Sequence, residues 1–215
     1  MYTCESNKDQ TVPLAQAAGV VSDASATVGE IQSVVDAAPL PLRPLELAPG
    51  LWWIRIQLAA TLKHVNAYLL EDHCGWMLVD TGSNTEICRQ TLSNILSQEP
   101  FVRKPLQRVL VTHQHPDHLG LAGWLAEQGS AIYATPTCWN TAKRLLASQA
   151  FPSPDQVEFQ RRSGLSKMEI EAFRRRPMHR YHELVAPLPD QYNPIHAGQQ
   201  IQVAERSWRV EFGNG

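Results

Sequence analysis

The residues best equipped for chemistry sit together in one short run, Thr112-His113-Gln114-His115-Pro116-Asp117-His118. It follows the apolar stretch Leu106-Gln-Arg-Val-Leu-Val-Thr112 and precedes a helical pattern. In extended backbone, side chains two positions apart project to the same side, so His113 and His115 can reach one metal ion. Pro116 suits the first turn of a helix, where its fixed φ is helix-compatible and its missing N–H loses nothing. Asp117 and His118 then leave that first turn in another direction and can reach a second ion. Three imidazoles and a carboxylate suit Zn2+, with Fe2+ or Mn2+ also possible. Two ions roughly 3.5–4 Å apart can share a hydroxide and direct it at a polarised carbonyl or phosphoryl group. Asp117 can ligate, accept a hydrogen bond from the attacking hydroxide, and carry a proton to the leaving group.

Such a cluster needs a rigid support. Leu51-Trp-Trp-Ile-Arg-Ile-Gln-Leu58, Val65-Asn-Ala-Tyr-Leu-Leu-Glu71 and Gly75-Trp-Met-Leu-Val-Asp-Thr-Gly82 are β-branched and aromatic runs divided by polar turns. They predict consecutive antiparallel strands. Ile87, Thr91, Leu92, Ile95 and Leu96 recur at helical spacing within 84–98, before Pro100, and predict an amphipathic helix. Leu106–Thr112 reads as a buried strand, followed by one helix from about Pro116 to Gln128 that Gly129 can cap. Ser130–Thr135 is a further strand, and a helix is expected from Pro136 to about Ser148. Strands alternating with helices predict an α/β layered domain. In 151–192, Pro152 and Pro154 break the chain, and Ser166 with Glu169 can open a helix that runs to about Arg176. Gln199–Val203 and Trp208–Phe212 predict a hairpin joined by Ala204–Ser207.

The resemblance is to the metallo-β-lactamase superfamily. It rests on His113-x-His115-x-Asp117-His118, on Val79-Asp-Thr-Gly82 upstream, and on Val65-Asn-Ala-Tyr-Leu before that, over roughly 51–146. It implies an αββα sandwich that hydrolyses an ester, thioester or lactam through a zinc-bound or dizinc-bound hydroxide, hydroxyacylglutathione-type thioester hydrolysis being one example. It implies that His113 and His115 bind one metal and Asp117 and His118 the other. Asp80 matches an aspartate beside the metal site, where it would hold a ligand or the loop in place; it could equally be a turn residue, and the two roles are compatible. The resemblance also implies a third histidine after a later strand and glycine-rich turn, and the chain ends at Gly215 just before that place. The expectation is therefore the first half of the sandwich plus the start of the second. One sheet face would be exposed, one metal site would have two protein ligands, and activity of this chain alone would be weak or absent.

Elsewhere the sequence offers less. His64 is isolated and reads as an ordinary surface residue, and Trp52 and Trp53 as packing residues. The basic run Arg161, Arg162, Lys167, Arg174, Arg175, Arg176 and Arg180 could bind an anionic substrate, which would suit a phosphodiesterase or nuclease of the same fold; the blander reading, which is favoured, is a solvated helical face balanced by Glu169 and Glu171. A non-catalytic metal-binding fragment is the rival from another class. A formal net charge of -2 over 215 residues argues against a general nucleic-acid binder. The partner expected is a small-molecule substrate, with no membrane. Cys4, Cys74, Cys88 and Cys138 form no C-x-x-C pair and no disulfide framework. With a polar N-terminus lacking signal-peptide character, they suggest a cytoplasmic, reducing location. Residues 1–44, rich in Ala, Ser, Gln and Val, read as a flexible segment. Residues 45–215 read as the domain, with a helical basic insertion at about 151–192.

Overall fold

The computed structural model describes residue 35 and residues 37–58, 62–147, 152–175 and 181–213. The chain divides into two compact units, Met1–Ala37 and Ala38–Gly215, and the architecture below is that of the second. Most of the segment expected to be flexible, 1–34, lies outside the described residues.

Among the described residues, seven strands form one mixed sheet in the order β1-β2-β3-β4-β5-β6-β7. β1 (Leu45–Ala48), β2 (Leu51–Gln57), β3 (His64–Glu71) and β4 (Trp76–Val79) pair antiparallel, each with its neighbour in sequence. β5 (Leu106–Leu110), β6 (Ala131–Ala134) and β7 (Asn193–Pro194) then add in parallel beyond β4. Parallel neighbours need crossovers. These are α1 (Glu86–Leu96), the pair α2 (Pro116–Leu119) and α3 (Ala122–Glu127), and the longer run α4 (Pro136–Ala147), α5 (Pro154–Arg162), α6 (Lys167–Arg175) and α7 (Tyr181–Leu184). A separate hairpin of β8 (Gln200–Val203) and β9 (Arg206–Arg209) closes the described chain.

Strand periodicity sorts the side chains into two layers. Ile54, Ile56, Ala67, Leu69, Trp76, Leu78, Val109 and Ile132 face the helices and pack with Leu92, Ile95, Leu121, Leu125 and Trp139. Each fully buried aliphatic side chain there contributes about 1.5–3 kcal/mol. Phe101 is 1% exposed and receives the edges of Trp52 and Trp76 at centroid distances of 5.2 and 5.0 Å. Trp52 is thus the packing residue expected, and Trp53 donates from Nε1 to Asn66 Oδ1 on the neighbouring β3.

The opposite face carries Leu70, Met77, Tyr68, Val79, Leu110 and Tyr133, covered in part by Ile195, Ile201 and Val203. An open, mainly apolar cavity of about 430 Å³ remains on this face. The β8–β9 hairpin is tied to the sheet through Asp72, which accepts from the Ala204 N–H at 2.7 Å and pairs with the Arg108 guanidinium. Arg108 also donates to the Gln202 carbonyl.

Several expectations are corrected. The helix from Pro116 to Gln128 is two helices, because the Leu121 N–H turns from the helical ladder to Thr81 Oγ1 and the Gly82 carbonyl. Pro154 does not break the chain but opens α5, where Ser153 and Gln156 form a reciprocal capping box. The hairpin turn is tighter than Ala204–Ser207, since Val203 already pairs with Arg206. Cys74 is disulfide-bonded, against the expectation of reduced cysteines, whereas Cys88 and Cys138 are buried free thiols. No helix among the described residues is long and apolar enough to cross a membrane.

Candidate metal centre

The parallel pairing of β4 and β5 brings their C-terminal ends side by side, where α/β sheets present binding residues. The Asp80 N–H donates to the Leu110 carbonyl at 2.9 Å, so the turn after β4 and the His113–His118 loop start from adjacent points. Asp80 adopts a left-handed backbone with φ of 63°, a conformation Asp tolerates better than most residues. That conformation aims its carboxylate, 5% exposed, across the gap. It accepts the Thr112 N–H at 2.9 Å, the Thr112 hydroxyl at 2.8 Å, and His118 Nδ1 at 2.7 Å.

Thr81 secures the other side of the loop. Its N–H and hydroxyl both donate to the His118 carbonyl, each at 2.9 Å. The His118 carbonyl is thus held from β4's turn while its ring is held by Asp80. Both threonines lie in the stretches singled out from sequence, but only the fold shows their roles.

The four candidate ligands fall into two pairs. His113 Nε2 and His115 Nδ1 face each other at 3.0 Å. His118 Nε2 lies 3.4 Å from Asp117 Oδ2. Two donors sharing a tetrahedral zinc stand about 3.3 Å apart, given zinc–ligand distances near 2.0–2.1 Å. The donor types and their spacing therefore fit divalent ions, with His113 and His115 suited to one and Asp117 and His118 to a second. The His113 and His118 ring centroids are 4.0 Å apart, so both pairs belong to one centre. Among the described residues, no three His, Cys, Asp or Glu donors converge on a single point.

Charge and burial treat the histidines differently. Burial lowers the His113 pKa, and the neighbouring His118 and His115 lower it further, favouring the neutral form that ligates. Burial acts in the same direction on His118, but the Asp80 hydrogen bond, the Asp80 charge and Asp117 together raise it above its ordinary value. Asp80, by occupying Nδ1, directs Nε2 of His118 toward the centre.

Asp80, His113, His115, Asp117 and His118 are thus brought together. His64 is engaged elsewhere, its ring 2.6 Å from the Arg55 guanidinium. In the basic insertion, Arg161 pairs with Glu158 and Arg175 with Glu171, each within its own helix.

The metallo-beta-lactamase superfamily model matches residues 60–179, more than half of the chain. The chain belongs to the metallo-β-lactamase superfamily. A beta-lactamase domain protein from Burkholderia ambifaria aligns with 31% identity and a TM-score of 0.67, over 81% of this chain and 49% of that one. A metallo-beta-lactamase family protein from Thermus thermophilus aligns with 26% identity and a TM-score of 0.55, over 77% and 52% respectively. A subclass B3 metallo-beta-lactamase from a soil metagenome, 15% identical at a TM-score of 0.50, shares the fold. The chain thus spans about half the length of the solved superfamily structures it matches. No curated protein matches it closely.

Proposed function

We propose that the centre formed by His113, His115, Asp117 and His118 binds divalent metal, zinc first, and hydrolyses an ester, thioester or lactam-type small molecule. The observation that carries the reading is the pairing of donors, His113 Nε2 with His115 Nδ1 at 3.0 Å and Asp117 with His118 at 3.4 Å, on a loop anchored by Asp80. Metal ions at such a centre act as Lewis acids that polarise a carbonyl and make water a nucleophile near neutral pH. The chain's own residues do the rest. His113, neutral by virtue of its surroundings, and His115 hold one position. Asp80 keeps the His118 ring turned, and His118 and Asp117 hold the other. The Asp117 carboxylate, next to both positions, orients the attacking water and receives its proton for delivery to the leaving group.

A second reading, metal binding without turnover, is favoured by the absence among the described residues of three converging donors. One experiment separates the two. Protein purified without chelator is assayed for zinc, iron and manganese beside a His115→Ala/His118→Ala double variant, and both are offered simple esters, thioesters, a β-lactam and an aryl phosphodiester. Metal lost in the variant together with metal-dependent cleavage of a carboxylic substrate supports the hydrolase. Metal without cleavage leaves the binding reading, and equal metal in both proteins overturns both.

A further inference from the structure

Gln114 lies between the two histidines of the first pair, so its peptide is part of the backbone from which both imidazoles project. That carbonyl receives a hydrogen bond from a residue 67 positions away: the Tyr181 hydroxyl donates to it at 2.7 Å. Tyr181 is 5% exposed at the start of α7. Burial, with a further contribution from Cys138, pushes its pKa up to about 12, so the hydroxyl remains a donor throughout the working pH range.

The segment that carries Tyr181 is seated with little room to move. The Leu184 carbonyl accepts the Asn84 N–H at 2.7 Å, and the Ala186 N–H donates to the Gly120 carbonyl at 2.8 Å. Glycines permit this approach. A Cβ on Gly120 would stand 2.5 Å from the Leu184 oxygen, and one on Gly123 would stand 2.0 Å from the Pro187 oxygen. Val185 and Ala186 are 1% and 2% exposed. The 181–187 strap is thus pressed against α2 and α3, directly behind the loop, and the Tyr181 hydroxyl reaches from it to the peptide between two candidate ligands.

We propose that Tyr181 is a positioning residue for the metal centre: through the Gln114 carbonyl it holds His113 and His115 at the separation a single ion requires. The proposal rests on the metal-binding reading above and extends it to a residue outside the histidine motif. A rigid donor from a separately anchored strap preorganises the pair before metal arrives, so less ordering remains to be done on binding.

The test uses the full chain and Tyr181→Phe, which keeps the ring and its packing and removes only the hydroxyl. Val185→Ala is the comparison, weakening the same strap without touching the hydrogen bond. Zinc affinity is read by competition with a chromophoric chelator, site geometry from the visible spectrum of the Co2+-loaded protein, and loop order from amide hydrogen exchange over 113–118 in chelator-treated protein. Tyr181→Phe is expected to weaken zinc binding about tenfold or more, to shift the Co2+ bands, and to speed exchange in the loop. Val185→Ala is expected to lower the unfolding temperature and leave all three unchanged. Affinity falling in proportion to stability in both variants would reduce Tyr181 to a structural role and overturn the proposal, as would unchanged Co2+ bands and exchange in Tyr181→Phe. If the parent chain takes up no metal, the functional reading fails by itself. Loop exchange then decides on Tyr181: unchanged exchange overturns the proposal, and faster exchange confined to Tyr181→Phe supports its positioning part.

Discussion

Replacing Asp80 by asparagine changes one interaction at the candidate centre and leaves the shape alone. Asparagine tolerates the left-handed backbone seen at this position, where φ is 63°, and its amide oxygen can still accept the Thr112 N–H, now 2.9 Å from Oδ1. The amide nitrogen then faces His118 Nδ1, 2.7 Å from the present Oδ2, and two N–H donors meet. Losing a hydrogen bond to a charged group costs about 1.5–3 kcal/mol. His118 avoids most of that by moving its proton to Nε2 and accepting at Nδ1, so the net cost to folding is expected near 1 kcal/mol. The proton on Nε2 occupies the position that should ligate. Metal affinity is therefore expected to fall about 10–100-fold, or about 1.4–2.7 kcal/mol. Asp80→Ala differs in kind. It leaves the Thr112 N–H without its carboxylate, costing about 1–3 kcal/mol, and places alanine in a left-handed backbone at a further 1–2 kcal/mol or so. Urea unfolding in chelator gives the folding term, and zinc competition with a chromophoric chelator gives the binding term. If Asp80→Asn binds zinc as tightly as the parent, Asp80 does not set the His118 tautomer and the reasoning fails.

Three further outcomes follow from packing and charge. Gly123→Ala puts a Cβ 2.0 Å from the Pro187 carbonyl oxygen and is expected to destabilise by about 2 kcal/mol or more, measured by urea unfolding; a neutral result would show that the strap behind the loop is not tightly seated. Phe101→Ala removes the ring against which Trp52 and Trp76 pack, with an expected loss of about 3–5 kcal/mol seen as a lower unfolding midpoint and a changed tryptophan emission. Burial works to raise the Asp72 pKa, but the Ala204 and His73 N–H groups, Arg108 and His73 bring it below its ordinary 3.8. A carboxylate with a depressed folded pKa stabilises above its unfolded value, and that contribution disappears as pH falls through the folded one. Asp72→Asn is therefore expected to be about 1–2 kcal/mol less stable than the parent at neutral pH, the gap closing below about pH 3.8; a constant gap across pH would show that the charge of Asp72 is not what holds the β8–β9 hairpin.

What could be read from the sequence depended on whether the determinant was local. β2 and β3 alternate apolar and polar residues over part of their length, β4 is a short unbroken apolar run, and α1 repeats its apolar face within three turns, so short windows contain the whole signal. The histidine loop was legible because few other uses explain three imidazoles and a carboxylate between a strand and a helix start. α5 was missed because Pro154 reads as a breaker unless the Ser153–Gln156 capping box around it is noticed. The interruption between α2 and α3 was hidden because its cause is Thr81, 40 positions from Leu121. Tyr181 and the Asp72–Ala204 link are tertiary in the same sense: no window spans them, and neither residue type announces a role.

The two outermost strands of the sheet bear on how it avoids unwanted growth. An open sheet offers backbone N–H and C=O groups at each margin as a template for further strands, the route to fibrils and aggregates. Here β7 is only Asn193–Pro194, and its proline has no N–H to give. At the other margin, β1 is four residues long, and its pairing with β2 shifts register between Glu46 and Ala48, a bulge that bends the strand out of line with any flat newcomer. Among the described residues, both borders of the sheet are thus short and interrupted, while its long, regular strands β2 and β3 lie inside with partners on each side. Selection against cross-β stacking would leave this pattern, because it guards both margins of the sheet once the parallel strands have docked.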